Sequence, residues 1–178
     1  MDEPRKFLEI YLNDHLAGSA FGVELARRLQ RNHAGTSFGP ALKRIADEIQ
    51  ADRDTLIELM DRMGVRRERL RAAVAIMLER TSRLKPNGSL FRHTPLSSLI
   101  DLETLSLGVQ GKRALWAALR TSLSGSPGLH AELDRLASRA ESQWRTLEEM
   151  RLEAAAAAFG ARARSRAAES QTGFTGAR

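Results

Sequence analysis

Four histidines, at positions 15, 33, 93 and 130, are the residues of this chain best suited to hold a metal or pass a proton. In carboxylate di-metal bundles, histidines follow a glutamate by three residues, because positions i and i+3 of a helix point the same way. Here the residues three before are Leu12, Gln30, Leu90 and Pro127, so Glu-x-x-His occurs nowhere. Only His15 falls on an apolar helical face. On helical wheels His15, Asp52, Arg53, Glu103 and Gln110 lie within their helices' apolar arcs, with Gln143 at the rim of its own. Glu103 is the sharpest case, between Leu99, Ile100 and Leu107, whereas Asp101 sits with Ser97, Thr104 and Lys112 on the polar side. A carboxylate alone in an apolar core is very costly, so Asp52 and Glu103 each require a partner. Arg53 is the cation of the right sign, and His15 a second. These six residues are expected to form a closed ion and amide network, with an arginine where a metal would otherwise sit.

The stretch "IADEIQADRDTLIELM", residues 45–60, carries the question in small. Ile45, Ile49, Leu56, Leu59 and Met63 make one face, Asp52 and Arg53 interrupt it, and Glu48 stands at its edge. The alternative expectation is therefore a divergent metal site from His15, Glu48, Asp52 and Glu103, with iron or manganese as cofactor. The preferred expectation is no cofactor and no catalytic residue.

Other chemistries fit less well. Cysteine is absent, which excludes disulfides, thiolate metal sites and Cys nucleophiles. Neither Gly-x-x-x-x-Gly-Lys nor Gly-x-Gly-x-x-Gly occurs. "GTSFG", residues 35–39, matches Gly-x-Ser-x-Gly by letter, but a nucleophile elbow follows a strand and this one follows a helix.

The elements that position these residues are announced by proline. Pro4, Pro40, Pro95 and Pro127 each open a long helical pattern at the position where a missing N–H is harmless. Gly39, Thr94 and Ser126 are the expected N-caps of the last three. Five helices follow, at about 4–31, 40–63, 66–85, 95–121 and 127–158, with a tight turn at Gly64. The helix at 95–121 is apolar round most of its circumference and is expected at the centre. Residues 1–158 read as one helical domain, and 159–178 as a basic, disordered tail without periodicity. Two hairpins of long helices, joined by a crossover that holds the short helix, make an all-α four-helix bundle.

The segments "YLNDHLAGSAFGVELARRL" (11–29) and "TPLSSLIDLETLSLGVQGKRALW" (94–116) resemble an uncharacterised bacterial family of ferritin-like fold. The resemblance covers roughly residues 7–150. It implies a ferritin-like bundle, here without the Glu-x-x-His motifs of its di-iron members, and no particular activity.

The net charge of +6 is unevenly placed. Residues 62–92 hold nine Arg or Lys against Glu68 and Glu79, a net of +7, and residues 159–178 add four Arg against Glu169. Arg66, Arg67, Arg69, Arg71, Arg80, Arg83 and Lys85 form a basic patch on the short helix, able to meet nucleic acid, an anionic surface or an acidic protein. No base-stacking aromatic pattern accompanies it. The favoured expectation is a non-catalytic or cryptic-ligand bundle, acting in interactions or in stress. The metal-binding and nucleic-acid-binding readings are the alternatives. Self-association as a homodimer is compatible with all three. The N-terminus lacks an apolar signal core and the longest apolar runs are too short to span a bilayer, so a cytoplasmic location without membrane insertion is expected.

Overall fold

The computed structural model of the chain describes residues 3–67, 94–123 and 127–172, with side chains through residue 160. These fold into four helices: α1 (Glu3–Asn32), α2 (Gly39–Arg62), α3 (Pro95–Ser122) and α4 (Pro127–Thr172). The expected helix at 66–85 lies outside the described residues, and with it Arg69, Arg71, Arg80, Arg83 and Lys85. So does the expected cap Ser126. Arg66 and Arg67 are described and exposed.

The ends of the helices show how local chemistry sets them. Thr94 caps α3 through a full capping box: its side chain accepts from Ser97 N–H at 3.1 Å, and Ser97 Oγ accepts from Thr94 N–H at 2.9 Å. At α2 the expected Gly39 cap is displaced by one residue. The cap is Phe38, already in helical backbone geometry and without a side-chain bond. Gly39 instead serves the turn before it, because a Cβ there would meet the carbonyl oxygens of Ala34 and His33 at 2.8 and 2.9 Å. Only a bare Cα lets the α1–α2 turn close this tightly. Gly64, at φ +64°, ends α2 in a Schellman motif, with Val65 N–H to Met60 O at 2.9 Å and Gly64 N–H to Asp61 O at 3.0 Å.

α4 does not stop at residue 158 but continues to Thr172. The run after Leu152 is dominated by Ala and Arg, both strong helix formers, and Gly160 alone does not break it.

Ion pairs between helices fix their directions. Arg28 near the end of α1 meets Asp101 near the start of α3 at 2.7 Å. Arg62 at the end of α2 meets Glu132 near the start of α4 at 2.8 Å. α1 and α3 are therefore antiparallel neighbours, as are α2 and α4, while α2 and α3 point the same way. The end of α2 and the start of α3 lie at opposite ends of the bundle.

The core is built from one face of each helix. Leu12, Leu16, Leu29, Leu42, Ile45, Leu59, Met60, Leu102, Leu105, Leu115, Trp116 and Leu119 are all but fully buried. Near the end of α2, buried Asn13 donates to Glu9 O and to Arg66 O, tying the chain after α2 to α1. The centrality expected of the helix at 95–121 is only half met. α3 buries Leu99, Leu102, Leu105, Val109 and Trp116 but leaves Leu96, Ile100 and Leu107 exposed.

Candidate functional site

Two features occupy the middle of the bundle, one polar and one mostly apolar, and they share a boundary. The first is an ion cluster around Asp52, whose residue is 1% exposed. Lys112 of α3 donates to Asp52 Oδ2, and Arg139 of α4 donates to Asp52 Oδ1. Lys112 Nζ also donates to Gln143 Oε1 at 2.6 Å, and Gln143 Nε2 donates to Glu48 Oε2 at 2.9 Å and to Asp52 Oδ2 at 3.3 Å. α2, α3 and α4 are thus stitched together at one level. Both oxygens of the buried carboxylate have cationic donors, and both ends of the buried amide are used, which is the condition for tolerating such a group. Burial pushes the Lys112 ammonium below the usual lysine value, Asp52 and Glu48 opposing this and Arg139 adding to it.

The second feature is a cavity of about 650 Å³ between α1, α2 and α3. That volume is in the range of small-molecule sites. Small residues create it: Gly18 and Gly22 of α1 face Gly108 and Gly111 of α3 across it. A Cβ added at Gly22, Gly108 or Gly111 would meet nothing within 4 Å. Phe21, Leu25, Ile49, Leu56, Leu105 and Leu115 supply apolar walls, and exposed Tyr11, Asp14 and Leu107 mark the mouth. Asp52 and Lys112 form the boundary with the ion cluster, and Arg53 lines the same space.

Two further lining groups carry chemistry. Trp116 is 1% exposed, and its indole N–H has no hydrogen-bond partner among the described residues. Such a donor costs about 1–3 kcal/mol when left unsatisfied. His15 is half-buried, edge-on to the Tyr11 ring at 4.6 Å. Burial lowers its pKa, with Asp14 opposing.

The six residues expected to form one network are not all brought together. Asp52 and Gln143 are at its centre, and Gln143 is buried rather than at a rim. Arg53 does not reach Asp52 or Glu103; its nearest carboxylate is Asp54 at 4.0 Å. Glu103 is 58% exposed and faces Arg151 at 3.7 Å. The reason is rotational: α3 packs through Leu99, Leu102, Leu105 and Val109, which turns the stripe of Leu96, Ile100, Glu103 and Leu107 outward. Gln110 is half-buried and takes no place in the network. The metal set of His15, Glu48, Asp52 and Glu103 is likewise not assembled, since Glu103 is on the surface and Asp52 is held by two cations. Among the described residues no group of three His, Asp or Glu is placed to hold a metal ion.

Lys112 and Arg139, the two cations that balance Asp52, are not among the residues expected there, yet the signal for them is present in the sequence. Leu105, Val109, Lys112 and Trp116 follow one 4-3-4 spacing. Leu136, Arg139 and Gln143, followed by Leu147 and Met150, continue the same rule on α4.

No family model matches the chain, and comparison with curated proteins and with solved structures finds no match.

Proposed function

We propose that this chain is a non-catalytic, ferritin-like helical bundle that binds a small, largely apolar ligand between α1 and α3. The observation that carries the reading is the cavity itself. Glycines on two facing helices widen it, and apolar side chains, the Trp116 ring among them, line it. The parallel direction of α2 and α3 supports the ferritin-like topology, because a long crossover produces that arrangement. The Asp52–Lys112–Arg139–Gln143 cluster occupies the level at which such bundles carry metal. It supports a structural reading of the mid-plane, since both oxygens of Asp52 are engaged by a cation.

The reading is tested with a neutral naphthalene dye whose emission rises in apolar surroundings. The folded chain binds it saturably, and Gly22→Leu, which places a side chain in the open space, weakens binding about tenfold or more by removing volume. A chain that leaves the dye's emission unchanged, or a Gly22→Leu variant that binds it as the wild type does, contradicts the reading.

A further inference from the structure

The polar groups on the cavity wall are unequal in kind, and that inequality selects a ligand. The Asp52 carboxylate accepts from Lys112 and Arg139. The hydroxyls of Ser19 and Thr104 donate back to Leu16 O at 2.6 Å and Ile100 O at 2.8 Å. Among the described lining cations, Arg53 is the one without a close partner, since Lys112 is held by Asp52 and Gln143. The Arg53 guanidinium has its nearest carboxylate, exposed Asp54, at the limit of an ion pair. The Trp116 indole N–H also lacks a partner among the described residues, but it is buried away from the cavity's accessible surface and presents only its ring there.

We propose that the ligand is an amphipathic monocarboxylic acid, its apolar body in the glycine-widened space against the Trp116 ring and its carboxylate at Arg53. This rests on the ligand-binding reading above and narrows it. A cation without a close partner calls for an anionic acceptor, and a guanidinium favours a planar carboxylate over a neutral oxygen. A single negative charge is favoured over two, because Arg53 is the one described lining cation not already held by Asp52, and Asp14 at the mouth adds a negative charge. The stretch walled by Phe21, Leu25, Ile49, Leu56, Leu105 and Leu115 calls for an apolar chain or ring, since a polar group against those side chains would find no partner.

The test compares decanoate with decan-1-ol, which share a body and differ in the head group, by isothermal titration of the full chain. Decanoate binds about tenfold or more tighter than the alcohol, the scale of one charge-assisted hydrogen bond. Arg53→Met, which keeps the stem and the helix propensity, removes that preference and leaves the alcohol's affinity in place. Arg53→Lys, which keeps the charge, retains most of it. Equal binding of acid and alcohol by the wild type, or a preference that survives Arg53→Met, overturns the acid assignment while leaving the cavity reading standing. Failure of acid, alcohol and the neutral dye alike overturns the cavity reading itself.

Discussion

The mid-plane among α2, α3 and α4 and the flank between α1 and α3 meet at the same two side chains, Asp52 and Lys112, and are built by opposite means. The mid-plane brings charges together around one carboxylate, with two cations on its oxygens and a glutamine bridging to Glu48, and only Arg139 Nε is left without a partner among the described residues. The flank withdraws side chains instead, with glycines where a bundle would place leucine or alanine. A cluster whose carboxylate oxygens and amide are engaged fixes how three helices align, and it is closed by side chains on all three. An underfilled apolar space with one loosely paired cation, Arg53, contributes little to stability and has room to offer. The contrast assigns the two regions different roles.

Asp52→Ala breaks the comparison most severely. It strands mostly buried Lys112, while Arg139, with 35% of its side chain exposed, can turn to water, so the expected loss lies toward the lower end of about 3–5 kcal/mol, read from chemical denaturation. A loss under about 0.5 kcal/mol, the range of ordinary surface changes, would remove the mid-plane's structural role.

Glycines sharpen the contrast next. Gly39→Ala drives a Cβ into two carbonyl oxygens at 2.8 and 2.9 Å and should destabilise by more than about 1 kcal/mol. Gly22→Ala and Gly108→Ala meet no atom within 4 Å and relieve a helix-interior glycine, so each should stabilise by roughly 0.5–1 kcal/mol. If all three shift the melting temperature in the same direction, the distinction between a packed and an open glycine fails.

Smaller effects lie at the edges. Glu103→Ala removes one partner of a solvent-exposed pair with Arg151 and should change stability by less than about 0.5 kcal/mol. His15 adds a pH dependence. Its folded-state pKa lies below the ordinary 6.5, so the unfolded chain takes the proton first. Its contribution is fully present above 6.5, is lost as pH falls from there, and levels off below the lowered folded value. His15→Gln should flatten that part of the stability profile; an identical slope in variant and wild type would place the effect elsewhere.

The frame of the bundle is legible in the sequence because its signals are local. Pro95 after Thr94, Pro40 after Gly39 and the turn at Gly64 mark helix ends through backbone chemistry that needs no partner. The continuation of α4 to Thr172 is not, because the absence of an apolar stripe does not end a helix when alanine and arginine support it. At the site, Asp52 and Gln143 are legible from their place in apolar stripes. Glu103 and Arg53 are misplaced by the same rule, because a wheel gives the direction of a side chain but not which arc its neighbours cover. α3 presents two apolar arcs, and only packing against α1 and α4 decides that Leu102 faces inward and Ile100 outward. The cavity is least legible of all. Gly18 and Gly22 suggest a close approach of helices, and the structure uses them to keep α1 and α3 lined by open space.

The central claim is that the α1–α3 cavity takes an apolar ligand beside Trp116. The chain holds two tryptophans, Trp116 on the cavity wall and Trp144 on α4 outside its lining, so their indole N–H protons give one reporter for each region. Titration with decan-1-ol, followed by proton–nitrogen correlation NMR with Trp116→Phe to assign the signals, should move the Trp116 resonance saturably and leave Trp144 in place. A Trp116 signal that stays fixed at saturating alcohol, or two signals that move alike, would contradict the account.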